Sequence, residues 1–276
     1  NDTVDTLEIW LRDASTKVTV ILCYSVFEEK DIITRAVKVF NGNEKTMYLT
    51  RIMSTTIDFM ESAFDFVHFD GRHTMERNLT REPISYGVQS IGSTRGASSH
   101  QHNPFVILCD HDANEEYGNC YGFSLVYSGN FRCEVEKDQF DQTRIQFGIN
   151  PKGFSYQLKP NEKFIAPEVV LAYSSQGFTK LSHLYHNVYR ENLCRSPRAK
   201  EIRPIVINSW EATYFNFDDT KLLNIAREAV DMGVDLFVLD DGWFGKRDDD
   251  SSGLGDWNVN TSKLKKGLKG LSDEIN

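Results

Sequence analysis

Residues 237–257, FVLDDGWFGKRDDDSSGLGDW, gather the side chains best suited to chemistry. A short apolar run ends in two adjacent carboxylates, Asp240 and Asp241. Gly242 and Trp243 follow, then the acids Asp248, Asp249 and Asp250, and finally the acid–aromatic pair Asp256–Trp257. Such a stretch could hold calcium, accept hydrogen bonds from sugar hydroxyls, or form a solvated turn. Calcium fits poorly. An EF-hand begun at Asp248 puts Asp250, Ser252 and Gly253 in suggestive places, but Val259 stands where the bidentate glutamate belongs. The acid cluster therefore reads as a solvated turn. A sugar site needs an aromatic surface for the C–H face of a pyranose beside carboxylates that accept its hydroxyls. Whether Asp240 and Asp241 meet such a surface depends on the elements that carry them.

Those elements change character along the chain. Up to about residue 175 the pattern is β-rich, with strand-like runs at Val18–Leu22, Ile32–Phe40 and Phe105–Leu108. Tyr121–Val126, the Ser128-Gly129-Asn130 turn and Phe131–Val135 read as a hairpin. Many strands with few helices predict a large antiparallel sandwich. The three-to-four spacing of Phe178, Leu181, Leu184, Tyr185 and Val188 predicts a helix. A polar stretch containing Pro197 and Pro204 then marks a linker. Beyond it, Ile205–Trp210 reads as a strand, and a helix capped by Asp218 or Asp219 runs to Met232 with Leu222, Ala226, Ala229 and Val230 on one face. Gly233 ends that helix, and Val234–Leu239 is a second strand, apolar enough for burial on both faces. The division is 1–176 sandwich, 177–203 helix and linker, and 204–276 the start of an α/β fold, with a (β/α)8 barrel the leading candidate.

A strand–helix–strand unit explains how the aspartates could act. Parallel α/β folds collect binding groups at the C-terminal ends of their strands. Trp210 at the end of one strand and Asp240 and Asp241 at the end of the next would share a rim. A capped strand end over a core tryptophan is the plainer alternative that the spacing leaves open.

Other constellations are weaker. His100-Gln101-His102 with Asp110-His111 invites zinc, but no further ligand stands at a persuasive spacing. His183 and His186 lie on a helix stripe whose neighbours suit packing. No phosphate-cradling loop, dinucleotide fingerprint or G-x-S-x-G elbow occurs, and no cofactor or metal is expected. A formal charge of −9 disfavours nucleic acid, which needs a basic stripe, but permits a neutral sugar. Five scattered cysteines without a C-x-x-C pair suggest free thiols in a reducing, cytoplasmic setting. No stretch reaches membrane-spanning length and no signal peptide is evident, so no membrane partner is expected. The helix-like end at Asn276 suggests a piece of something longer.

The stretch PIVINSWEATYF…LFVLDDGWFGKRDDDSSGLGDW closely resembles the start of the catalytic barrel in bacterial-type α-galactosidases of glycoside hydrolase family 36. FDGRHTMERNLTREP, SSHQHNPF, YGFSLVYSGNF and FSYQLKPNEKF resemble the N-terminal β-supersandwich of the same enzymes. The resemblance implies retaining hydrolysis of terminal α-linked galactose from melibiose- and raffinose-type oligosaccharides. It implies that Asp240, Asp241 and Trp210 bind the sugar and that the protein is a homo-oligomer, commonly a tetramer. Where relatives carry a tryptophan in an FDGAW-type segment, this chain has His73, which could replace that sugar-facing wall.

The family's nucleophile and acid/base aspartates lie on later barrel strands, the nucleophile in a K-W-D type motif that is absent here. A retaining mechanism needs two carboxylates roughly 5–5.5 Å apart on either side of the scissile bond. Nothing makes the neighbouring Asp240 and Asp241 straddle one, so they are assigned to binding. The segment alone is expected to be inactive. A non-catalytic carbohydrate-binding or assembly module, or a relative acting on another α-linked sugar, is the alternative.

Overall fold

The computed structural model describes residues 4–276, and the chain divides into two compact units at Ser196/Pro197. The first unit is built of strands β1 (Asp5–Arg12), β2 (Val18–Phe27), β3 (Ile32–Asn41), β4 (Met47–Leu49), β5 (Met53–Phe59), β6 (Phe64–Arg72), β7 (Met75–Pro83) and β8 (Gly87–Gly92). It continues through β9 (His102–Asp110), β10 (Cys120–Leu125), β11 (Phe131–Lys137), β12 (Thr143–Ile149), β13 (Tyr156–Leu158), β14 (Lys163–Ile165) and β15 (Val169–Ser174), then helix α1 (Gly177–Val188). One large antiparallel sheet runs β1-β2-β3-β15-β10-β9-β6-β7, with β14 also on β3; a three-stranded sheet runs β11-β12-β5.

Alternation along the central strands divides their side chains between two cores, because successive residues of a strand face opposite ways. Phe64, Phe66, Val106 and Leu108 pack with Phe131, Cys133, Val135, Ile145 and Phe147 of the smaller sheet. Val67, Ile107 and Cys109 pack with Leu181, Leu184, Tyr185 and Val188 of α1. The middle of the large sheet is thus covered on both faces, which is why Phe105–Leu108 reads as an unbroken apolar run. Gly122 in β10 is required by this packing. A β-carbon there would stand 2.6 Å from the Tyr185 ring and 2.7 Å from its hydroxyl, which donates to the Val170 carbonyl at 3.1 Å.

One local expectation fails. Tyr121–Val126 and Phe131–Val135 form no hairpin: β10 pairs with β9 and β15 in the large sheet, whereas β11 pairs with β12 in the small one. The turn reverses the chain, but the apolar faces of both strands are satisfied by carrying it from one layer of the sandwich to the other.

The second unit contains β16 (Val206–Asn208), the single turn α2 (Trp210–Thr213), α3 (Asp219–Asp231), β17 (Leu236–Val238) and α4 (Gly267–Ile275). β16 and β17 are parallel, with Val206 opposite Leu236 and Asn208 opposite Val238. Asp218 caps α3 by accepting from the Lys221 amide at 2.9 Å, and Gly233, at φ +84°, ends it. Phe217, Leu222, Leu264 and Leu271 form the core. Val230, which helical spacing puts on the apolar face of α3, is 66% exposed, and Leu236, in a run apolar enough for burial on both faces, is 46% exposed. A two-stranded sheet offers too little neighbouring surface to cover them. The architecture is a β-supersandwich followed by the first βα units of a parallel α/β fold.

Candidate functional site

The first parallel strand ends earlier than the sequence suggests: β16 stops at Asn208, and Trp210 opens the turn α2 instead of closing the strand. Asn208 is the connection that sequence reasoning missed. Its side-chain amide donates to Asp240 Oδ2 at 2.6 Å, while its side-chain oxygen accepts from the Trp210 amide at 2.8 Å. The Asp240 amide in turn donates to the Ser209 hydroxyl at 3.2 Å. The two strand ends are therefore tied together. The Trp210 indole lies edge-on to Phe215 and Tyr214, at 4.9 and 5.3 Å between ring centres.

The two aspartates, equivalent by sequence, are not equivalent in space. Asp240 accepts from Asn208 on Oδ2 and from the Asp241 amide on Oδ1 at 2.7 Å. A carboxylate offers about four acceptor directions, so each oxygen of this half-buried group retains one for a ligand. Asp241 is held far more firmly. Nε of Arg247 lies 2.6 and 2.7 Å from its two oxygens, and the Gly242 amide donates to Oδ1 at 2.6 Å. The Arg247 guanidinium and the Gly242 amide outweigh burial and hold the Asp241 carboxyl below the usual carboxylate range. Asp241 can offer a ligand one further acceptor position, on Oδ2.

Arg247 organises the loop as well as the aspartate. Its side chain is buried, and Nη1 donates to the carbonyls of Ser252 at 2.6 Å and Asp249 at 3.2 Å. Lys263 ties the neighbouring backbone by donating to the carbonyls of Phe215 at 2.9 Å and Gly242 at 3.1 Å, and it pairs with Asp248 at 2.8 Å. Gly242, at φ +86°, has no room for a side chain: a β-carbon would stand 2.9 Å from the Phe215 ring. The run GKRDDD reads as a surface charge cluster, and Asp248 and Asp250 are indeed exposed. The single arginine inside it nevertheless turns inward. Its only sequence signal is its place six residues after Asp241, between glycines.

His73 sits on the exposed turn between β6 and β7 of the first unit. The zinc constellation considered from sequence does not assemble as drawn. His111 Nδ1 contacts Asp65 Oδ1 at 2.6 Å, and Asp110 accepts from Asn119. His102 joins His68 and Asp70 instead, the one such group of potential metal ligands among the described residues. The five cysteines are free, four of them buried. No described helix is long and apolar enough to cross a membrane.

An antiparallel supersandwich followed by parallel βα units, with two carboxylates at the end of the second parallel strand and one of them tied through Asn208 to the Trp210 backbone, defines a two-part β and α/β class of protein. The glycosyl hydrolase family 36 N-terminal domain profile matches residues 1–159, and the melibiase profile matches residues 163–276. The chain belongs to glycosyl hydrolase family 36. It is 49% identical to the bifunctional alpha-galactosidase/sucrose kinase AgaSK of Mediterraneibacter gnavus, covering 94% of this chain and 28% of that protein. It is 47% identical to alpha-galactosidase AgaA of Geobacillus stearothermophilus, covering 99% of this chain and 37% of that protein. The solved AgaA structure superposes with a TM-score of 0.96 over 99% of this chain and 38% of that one. Variants of AgaA have been solved with stachyose and with raffinose. The chain thus spans roughly a third of the length of these relatives.

Proposed function

We propose that the protein carrying this chain is a retaining α-galactosidase that releases terminal α-linked galactose from raffinose- and melibiose-type oligosaccharides. Asp240 carries the reading: a half-buried carboxylate, held by Asn208 at the end of β16, whose side chain also accepts from the Trp210 amide at the start of α2, with acceptor capacity left on both oxygens. Asp240 and Asp241 accept galactose hydroxyls, Trp210 offers the apolar face for the ring, and His73 is a further candidate contact on its own turn. These groups bind and orient. The nucleophile and the acid/base belong to later strands of a (β/α)8 barrel, and no cofactor enters the chemistry.

The division into a sandwich at 1–176, a connecting helix and linker at 177–203 and a barrel start at 204–276 belongs to the same proposal. So do a homo-oligomeric assembly and a cytoplasmic setting, which suits the free thiols. The test is hydrolysis of p-nitrophenyl α-galactoside by the full-length protein and its Asp240→Asn variant. Hydrogen bonds to a charged group are worth about 1.5–3 kcal/mol, so kcat/KM should fall roughly ten- to hundredfold. Undiminished activity in the variant removes Asp240 from the site. Absence of hydrolysis by the full-length protein leaves a binding or assembly module.

A further inference from the structure

The group His68, Asp70 and His102 lies in the sandwich, outside the site described above. His68 and Asp70 stand two apart on β6, and His102 is the residue opposite Asp70 on β9. The β6–β9 register shifts between His68 and Asp70, and the β6–β7 register shifts again between Asp70 and Arg72. Bulges of this kind bend a strand and re-aim its side chains, and they gather at functional sites. Here the irregularities flank a point where two imidazoles converge on one carboxylate. One ligand atom from each residue lies within 4.8 Å of the other two.

The contacts are more specific than a chance meeting of polar groups. His68 Nδ1 is 3.1 Å from Asp70 Oδ1, and His102 Nδ1 is 2.6 Å from the same oxygen. The second contact is a close ion-pair approach, and His102 Nδ1 is buried without a hydrogen-bond partner of good geometry. Asp70 Oδ2 accepts from the Thr80 hydroxyl at 2.6 Å, which fixes the carboxylate plane. The donor set is two imidazole nitrogens and one carboxylate oxygen, with a hydroxyl behind the carboxylate. Such a set suits a first-row divalent ion and leaves a coordination position for water. Ligands arranged tetrahedrally at about 2.0–2.1 Å from zinc stand roughly 3.3 Å apart. The His68–Asp70 pair is already near that separation, and the His102–Asp70 pair has to open by less than an ångström.

We propose that His68, Asp70 and His102 form a divalent-metal site in the sandwich, of the kind that takes Zn2+. An ion there would join the distal end of β6 to β9. It would thereby steady the tip of the β6–β7 hairpin, whose turn carries His73 three residues beyond Asp70. This inference does not depend on the galactosidase reading.

Full-length protein stripped with EDTA and titrated with Zn2+ by calorimetry should take up an equivalent that disappears in His102→Gln and in His68→Gln. Thr80→Val should weaken that equivalent by about ten- to hundredfold, as loss of an outer hydrogen bond does. His183→Gln/His186→Gln, which removes the exposed pair on α1, should leave it intact. Co2+ in place of Zn2+ should give d–d absorption bands in the wild type that His102→Gln lacks. Should the histidine variants fail to fold, crystals of the wild type soaked with Zn2+ decide the matter: an anomalous-scattering peak bonded to His68 and His102 supports the site. A soaked crystal without a peak there overturns the proposal, as does undiminished binding by folded His102→Gln, and the triad is then a hydrogen-bonded cluster only.

Discussion

Asp240 and Asp241 are neighbours in the chain with separate duties in space. Asp240 is oriented by an amide from Asn208 and keeps acceptor capacity, whereas Asp241 is committed to Arg247. That commitment has a pH consequence. A carboxyl whose folded pKa lies below its unfolded value contributes stability that is fully present above the unfolded value and is lost as pH falls through the folded one. Arg247 lowers the folded value of Asp241, so its contribution is complete above the usual aspartate range and disappears in stronger acid. Urea unfolding should show Asp241→Asn less stable than the wild type at pH 7, with the gap closing as pH falls below about 4. A gap that stayed constant into acid would show that the ion pair is not its source. Sequence patterning pointed to both aspartates because acids ending an apolar run are conspicuous. It could not reveal Asn208, which looks like an ordinary strand residue, nor Arg247, which is masked by the acids around it.

At the scale of elements, strands β6, β9 and β10 have to satisfy two cores at once, and α1 closes the second of them. Gly122 marks the tightest point of that closure, where the Tyr185 ring lies against β10. Gly122→Ala should destabilise the protein by about 1–3 kcal/mol, the usual cost of overpacking a filled core. Chemical denaturation measures it, and an unchanged midpoint would mean that α1 shifts freely away from the sheet. The helices and most strands were legible because period 3.6 and strand-length apolar runs are local properties. The false hairpin at Tyr121–Val135 shows the limit of such reading. A turn signal records that the chain reverses, while the choice of sheet is settled by which apolar faces remain uncovered.

At the scale of the whole molecule, a supersandwich precedes parallel strands whose ends bear the groups proposed to bind sugar, and the same proposal puts the cutting carboxylates on later strands. Residues 1–276 expressed alone should therefore release no p-nitrophenol from the α-galactoside that the full-length protein cleaves. Measurable turnover would move the acid/base pair into this part of the chain. The exposed apolar side chains Val206, Val230 and Leu236 give the isolated segment a further expected property, self-association, since uncovered strand and helix faces seek apolar partners.

The sequence by itself determined the strand-rich first part, the change to βαβ character, the α3 cap at Asp218 and the block containing Asp240 and Asp241. Each is written in short-range patterns of polarity, turn chemistry and motif. Only the tertiary structure decided that β10 and β11 join different sheets, that Arg247 turns inward to hold Asp241, and that Asn208 links the two strand ends. It also brought His68, Asp70 and His102 to one point. The reason is the same in each case: these contacts join residues distant in sequence or reverse the usual direction of a charged side chain. Such contacts are fixed by the completed packing, not by any local stretch of chain.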